Sequence, residues 1–167
     1  MRPLDPPETV SSTDSVRTAE LPPVVAPARA GDLADVLALL ADAGLPADGV
    51  ADPFPSGFLV ARDPADGALA GVAGVETHGR VGLLRSVAVR ADRRGTGLGQ
   101  ELGRAALALA RAEGLAELYL LTTTAEGFFP RLGFQPVARA ELPPELEASE
   151  ELRGACPASA AAMRLRL

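Results

Sequence analysis

Gly95, Gly97 and Gly99 stand at alternate positions directly after Arg93 and Arg94. Before them runs an apolar segment, Leu83-Leu84-Arg85-Ser86-Val87-Ala88-Val89, and after them Leu98, Leu102, Ala105, Ala106 and Leu109 recur at helical spacing. A short Leu/Val run reads as a mostly buried strand, and the spacing that follows reads as a helix stopped at Gly114. The first N–H groups of a helix lack partners and carry partial positive charge. Glycines there let a ligand approach the backbone. With the arginines adding cationic charge, the pattern predicts a cradle for a diphosphate between a strand and a helix.

The spacing excludes two familiar occupants. A dinucleotide fingerprint needs G-x-G-x-x-G, whereas these glycines run G-x-G-x-G. A P-loop needs Lys then Ser or Thr; the chain contains no Lys, and Gln100 follows Gly99.

Three further residues invite chemistry. Arg85 lies inside the apolar strand, where a guanidinium is costly unless paired. It either faces an acidic group on a ligand or makes an internal ion pair, with Glu76 as partner. His78, the one histidine, titrates in a useful range but sits in a turn. Cys156, the one cysteine, either lines a site or is buried and inert.

The elements that must hold these residues follow in order. Val24 to Ala30 reads as an edge strand, because of Pro27, and Asp32 as the cap of a helix ending at Gly44. Pro46 to Ser56 is a loop. Phe58 to Arg62, Ala68 to Thr77 and the central strand form an antiparallel meander, turning at Asp63–Gly67 and His78-Gly79-Arg80. Gly71 and Gly74 point to close backbone approach or a bulge. Leu118 to Thr122 is a strand parallel to the central one. Ala125 to Leu132 reads as a short helix with Gly133 at C′, Phe134 to Arg139 as a strand, and Pro143 to Glu151 as an acidic surface helix or loop. Ala162 to Leu167 alternates as a final strand.

The 167 residues suffice for one domain, 21–167, behind a Pro- and Ser-rich arm, 1–20, expected to be loose. A net charge of −6 argues against a nucleic-acid partner. One cysteine excludes an internal disulfide and suits a reducing cytoplasm. No apolar run is long enough for a membrane span, no secretory leader is expected, and no metal site is suggested.

Arg94-Gly95-Thr96-Gly97-Leu98-Gly99, followed downstream by Phe128-Phe129-Pro130-Arg131-Leu132-Gly133-Phe134, resembles the two signatures of the GNAT superfamily of N-acetyltransferases. The resemblance implies a single-domain α/β fold with a mixed sheet, antiparallel at first, whose one parallel pair splays apart. It implies acetyl-CoA as cofactor, held by Val87, Ala88 and Val89 of the central strand, the loop Arg94 to Gln100, Thr122 and Phe128. It also implies transfer to the amine of a small acceptor. A backbone N–H near Ser86 or Val87 would meet the thioester oxygen. The family's usual acid, a Tyr, is matched by Phe129, so a hydroxyl of Ser86, Thr122, Thr123 or Thr124 stands in, or the thiolate leaves unaided. Glu76, at the end of the neighbouring strand, is the first choice of base, acting directly or through water, with His78 second. Arg85, Glu76 and Cys156 are the candidate acceptor contacts.

Gly82 to Val89, Tyr119 to Thr124, Phe128-Phe129 and Cys156-Pro157-Ala158-Ser159 are similar to the branch named for arsenic-resistance N-acetyltransferases. That likeness implies an anionic or amino-acid-like acceptor. A related branch carries Glu where this chain has Leu84, so its mechanism does not transfer. A non-catalytic acyl-CoA-binding protein is the alternative, favoured by Phe129. A homodimer is left open.

Overall fold

The computed structural model describes residues 21–167. The expected arm, 1–20, lies outside the described residues.

Seven strands form one mixed sheet: β1 (Val24–Pro27), β2 (Phe58–Arg62), β3 (Leu69–His78), β4 (Val81–Val89), β5 (Glu117–Thr122), β6 (Gln135–Val137) and β7 (Ala161–Arg166). Their spatial order is β1-β2-β3-β4-β5-β7-β6. All neighbours are antiparallel except β4 and β5. This is the GNAT-like α/β fold that the residues suggested.

Helices α1 (Leu33–Asp42) and α2 (Leu98–Ala112) cover opposite faces, and the strand period of two decides which side chains meet each. Phe58, Val60 and Val72 pack with Val36, Leu39 and Leu40 of α1. Leu59, Ala61, Ala73 and Val75 pack with Leu98, Leu102 and Ala106 of α2. Gly71 and Gly74 serve close approach. A Cβ at Gly71 would lie 2.6 Å from Leu102 Cδ1, and one at Gly74 2.7 Å from the Phe58 ring.

Gly57, just before β2, is the most constrained glycine. Its φ is +76°, and a Cβ would lie 2.3 Å from the main-chain oxygen of Val75. Backbone cannot yield as a flexible side chain does. G57A is therefore expected to destabilise the fold by about 2–4 kcal/mol, read as a lower urea midpoint. A loss below about 0.5 kcal/mol, the usual surface scatter, would contradict this geometry.

Several local expectations need correction. The first strand ends at Pro27, and a 3-10 turn, Ala30–Asp32, precedes α1. Asp32 stands at the N-cap position of α1 but makes no side-chain capping bond there; its carboxylate accepts the Arg29 N–H at 2.8 Å and pairs with Arg62. The expected helix before Gly133 is a 3-10 turn, Phe129–Leu132, although Gly133 does adopt the left-handed conformation, φ 98°. The strand after it is only Gln135–Val137.

The segment Pro143 to Glu151 does lie at the surface, with a 3-10 helix over Pro144–Ala148 and exposed glutamates, but it turns three residues inward, Leu146, Ser149 and Glu151. Leu146, fully buried, packs on Leu83 and Tyr119 and so closes the sheet face beyond α1. The many glutamates hide one apolar anchor. A turn of π-helical hydrogen bonding, Glu151–Ala155, follows and buries Glu151.

Candidate functional site

Strands β4 and β5 pair only from Val81/Glu117 to Leu83/Tyr119. Beyond Leu83 they part, while β5 stays paired with β7 to its end. A cleft of about 680 Å³ opens in the gap, walled by Leu84 to Val89 on one side and Leu120 to Ala125 on the other. It continues past Val87, Val89, Arg94, Ala125 and Phe129 into a groove of about 540 Å³ beside Gly95, Gly97, Gly99 and Gln100.

A bulge marks the wall of β4. Val72 pairs with Ala88 and Gly74 with Arg85, so Ser86 and Val87 stand opposite Ala73 alone. Ser86 holds φ at +56°, the one non-glycine with positive φ among the described residues. A bulge takes a residue out of the ladder and re-aims its neighbours, and strain of this kind concentrates at functional sites. Here it frees β4 main chain toward the cleft.

At the groove, Gly97 caps α2 with φ 89°, and Gly95 has φ 75°. A Cβ on either would meet nothing within 4 Å, so open space lies over these residues. Gly99 packs under Phe128, with 3.4 Å left for a Cβ. Arg94 donates from Nε to the Val89 carbonyl at 3.1 Å, tying the loop to the end of β4. Arg93 is anchored too. It pairs with Asp63, whose fully buried carboxylate also holds Arg90 at 3.2 Å. Asp63 thus pins the arginine turn from the β2–β3 connection, and Arg93, Arg94 and Arg131 line the groove.

The remaining candidates separate clearly. Thr122 is buried and accepts the Ala125 N–H at 3.0 Å, so it shapes the turn, while Thr123 is exposed on the cleft wall. Phe129 stacks edge-on with Phe128 and Phe134 and lines both cavities.

Arg85 resolves its two alternatives. Its side chain is 0% exposed and binds Glu76, the Asp48 carbonyl at 2.6 Å and Ser86 Oγ at 3.2 Å. It is the internal ion pair, not a free contact for an acidic ligand. Glu76 is correspondingly poor as a base. Burial acts to raise its pKa, but hydrogen bonds from His78, Arg85 and Ser149 outweigh that and hold it below the ordinary carboxylate value. His78 Nε2 lies 3.0 Å from Glu76 Oε2.

A second carboxylate, unmarked in the sequence, stands beside the Arg85–Glu76 pair. Glu151, 4% exposed, lies on the cleft wall, with Oε1 3.6 Å from Arg85 Nε. Burial, opposed by Arg85 and reinforced by Glu76, pushes its pKa up to about 7. Cys156 lines the same wall and hydrogen-bonds Glu151. Burial and the Glu151 charge raise its pKa to about 11, so the thiol is no nucleophile at neutral pH. Glu151 lies in a run of acidic residues, Glu145 to Glu151, and nothing in that run distinguishes it; only the burial of Leu146 beside it does.

The site thus combines a glycine-lined helix entrance with a bulged strand in a splayed parallel pair. Residues 55–136 match the acetyltransferase (GNAT) domain model. An amino-acid acetyltransferase of Edwardsiella ictaluri is 39% identical over 69 residues, which cover 41% of this chain and 16% of that protein. The fold matches N-acetylglutamate synthase from Neisseria gonorrhoeae, solved with coenzyme A and N-acetyl-glutamate, at TM-score 0.74 and 24% identity, over 89% of this chain and 36% of that one. It also matches a Mycobacterium tuberculosis protein solved with CoA, at TM-score 0.72 and 24% identity, over 87% of this chain and 99% of that one. The chain therefore spans about a sixth of the curated relative and about a third of the synthase.

Proposed function

We propose that this chain is an N-acetyltransferase that moves the acetyl group of acetyl-CoA to the amine of a small amino-acid-like acceptor. The observation that carries this is the cleft itself. One end is a glycine-lined helix entrance suited to a diphosphate, and the middle is a freed strand edge suited to the amide-rich arm of CoA. Both donor features agree with the family's chemistry. The named relatives are described by amino acids, which supports an amino-acid acceptor over an arsenical one. An organoarsenical amino acid remains one member of the class.

In this reading Val87, Ala88 and Val89 hold the arm, and Arg94 to Gln100 hold the diphosphate. Phe128 covers Gly99, and Thr122 shapes the turn beside it. The bulge at Ser86 and Val87 supplies a main-chain donor for the thioester oxygen. Thr123 offers a hydroxyl to the departing thiolate. The internal pairing of Arg85 removes the cation that an anionic acceptor would have used. A cytoplasmic setting, where acetyl-CoA and a reduced Cys156 coexist, fits this activity. Among the described residues no helix is long and apolar enough to cross a membrane.

G97V tests the cradle. It forces a β-branched residue to positive φ and sets methyl groups in the open groove. CoA affinity by calorimetry is expected to fall at least 10-fold, about 1.4 kcal/mol, with the fold retained. Unchanged affinity would remove the diphosphate from this site. Phe129, which has no proton to give, favours a second reading, an acyl-CoA-binding protein without turnover. Thiol release from acetyl-CoA across a panel of amino acids, organoarsenical analogues included, separates the two: binding without release supports the second.

A further inference from the structure

Among the described residues, Glu151 is a buried carboxylate that lines the cleft and is not consumed by a direct hydrogen-bonded ion pair. Its neighbours come from every element around it. Glu76 stands on β3, Arg85 on β4 and Cys156 just beyond its own turn, while His78 of β3 reaches Glu76 and the Asp48 carbonyl, on the loop before β2, reaches Arg85. Arg85 reaches Glu76 with a direct contact but stays 3.6 Å from Glu151. The guanidinium thus neutralises the first carboxylate and leaves the second partly compensated. Leu146 anchors the segment, and the Glu151 main-chain N–H donates to Ser149 Oγ at 3.2 Å, which holds the turn that carries the carboxylate. Leu84, Ser86 and Thr123 line the same cleft.

We propose that Glu151 is the catalytic base of the acetyl transfer, taking a proton from the acceptor's ammonium group, while Arg85 and Glu76 are positioning residues that keep it aimed and available. The proposal rests on the acetyltransferase reading above.

The step balances. An N–H bond of the ammonium breaks and its proton goes to a Glu151 oxygen, leaving the amine lone pair. That pair forms the N–C bond to the thioester carbonyl, and the C–S bond breaks with its electrons on sulfur. The second amine proton reaches the thiolate, giving free CoA thiol and the acetylated amine. The proton on Glu151 then passes to solvent. The pKa near 7 suits this role, because the group is ionised just above neutrality yet basic enough to take a proton. A carboxylate at this end also selects acceptors whose reacting group arrives as a cation.

The test is steady-state kinetics of the full chain with acetyl-CoA and the best acceptor of the panel. Wild-type kcat/KM is expected to rise with pH through about 7. E151Q is expected to lower kcat by about 100-fold or more and to abolish that limb, with CoA affinity unchanged. E151D should keep the limb and recover part of the rate, which separates lost chemistry from lost folding. H78N should keep the limb, since His78 contacts Glu76 rather than Glu151. Wild-type kcat in E151Q with the limb intact, or a limb that vanishes in H78N alone, overturns the assignment. Absence of turnover by the wild type on any amine overturns the acetyltransferase reading and the base together.

Discussion

R85M is expected to lower the stability of the fold by about 3–5 kcal/mol, the usual cost of breaking a buried ion pair from one side. Arg85 is completely enclosed and holds Glu76, the Asp48 carbonyl and Ser86 Oγ, with Glu151 close by. Met fills much of the volume but provides no donor. Two carboxylates would then face each other in an apolar setting with the cation gone. The Asp48 carbonyl would lose its partner, and the bulge at Ser86 would lose a constraint. Urea unfolding at pH 8 should show a lower midpoint with the same slope. R85M/E76Q should recover part of the loss, because one of the stranded charges is removed. A loss under about 1 kcal/mol, the value of an exposed pair, would show that Arg85 does not bind this cluster together.

E151Q is expected to be more stable than the wild type above neutral pH. The ordinary Glu value is 4.5, and the fold raises Glu151 to about 7. A carboxyl raised in this way favours the folded state fully below the unfolded pKa, and that contribution disappears as pH rises through the folded one. Gln resembles the neutral carboxyl and escapes the loss. A shift from 4.5 to about 7 corresponds to about 3 kcal/mol, since each unit is worth about 1.4 kcal/mol. The difference between the two proteins should therefore be near zero at acid pH and grow between 4.5 and about 7. Asp32, lowered by its partners and remote from Glu151, changes stability in the opposite sense in both proteins and cancels in the difference curve, which reports Glu151 together with its coupling to Glu76. The same substitution would thus gain stability and lose rate, the trade expected where a site holds a charge its surroundings disfavour. Equal stability at every pH would contradict a raised Glu151.

The parts of this protein legible in its residues are those governed by local chemistry. The glycine spacing marked the helix entrance, since positive φ at Gly95 and Gly97 is written in residue type. Alternation from Ala162 to Leu167 marked the last strand, and strand–helix–strand order marked the parallel pair. The pairing of Arg85 with Glu76 was one of two open readings, because an Arg in an apolar strand must find an anion but does not say which. Glu151 was hidden for a different reason. Its burial depends on Leu146 docking against Leu83 and Tyr119, contacts distant in sequence, within a stretch whose composition is that of a solvated surface. The role of Asp63 was hidden likewise: turn chemistry explains Asp63-Pro64-Ala65-Asp66-Gly67 fully, while the grip on Arg93 and Arg90 comes from tertiary contact.

The central claim is that the cleft between β4 and β5 carries acetyl-CoA to an amine. It is tested most directly by incubating the full chain with acetyl-CoA labelled with carbon-13 at the carbonyl, plus an equimolar mixture of amino acids, and following that carbon by NMR. The account expects the thioester signal to decay into a new amide signal at a rate that depends on the enzyme. A thioester signal that persists at the rate of a protein-free control, with CoA bound, would contradict it.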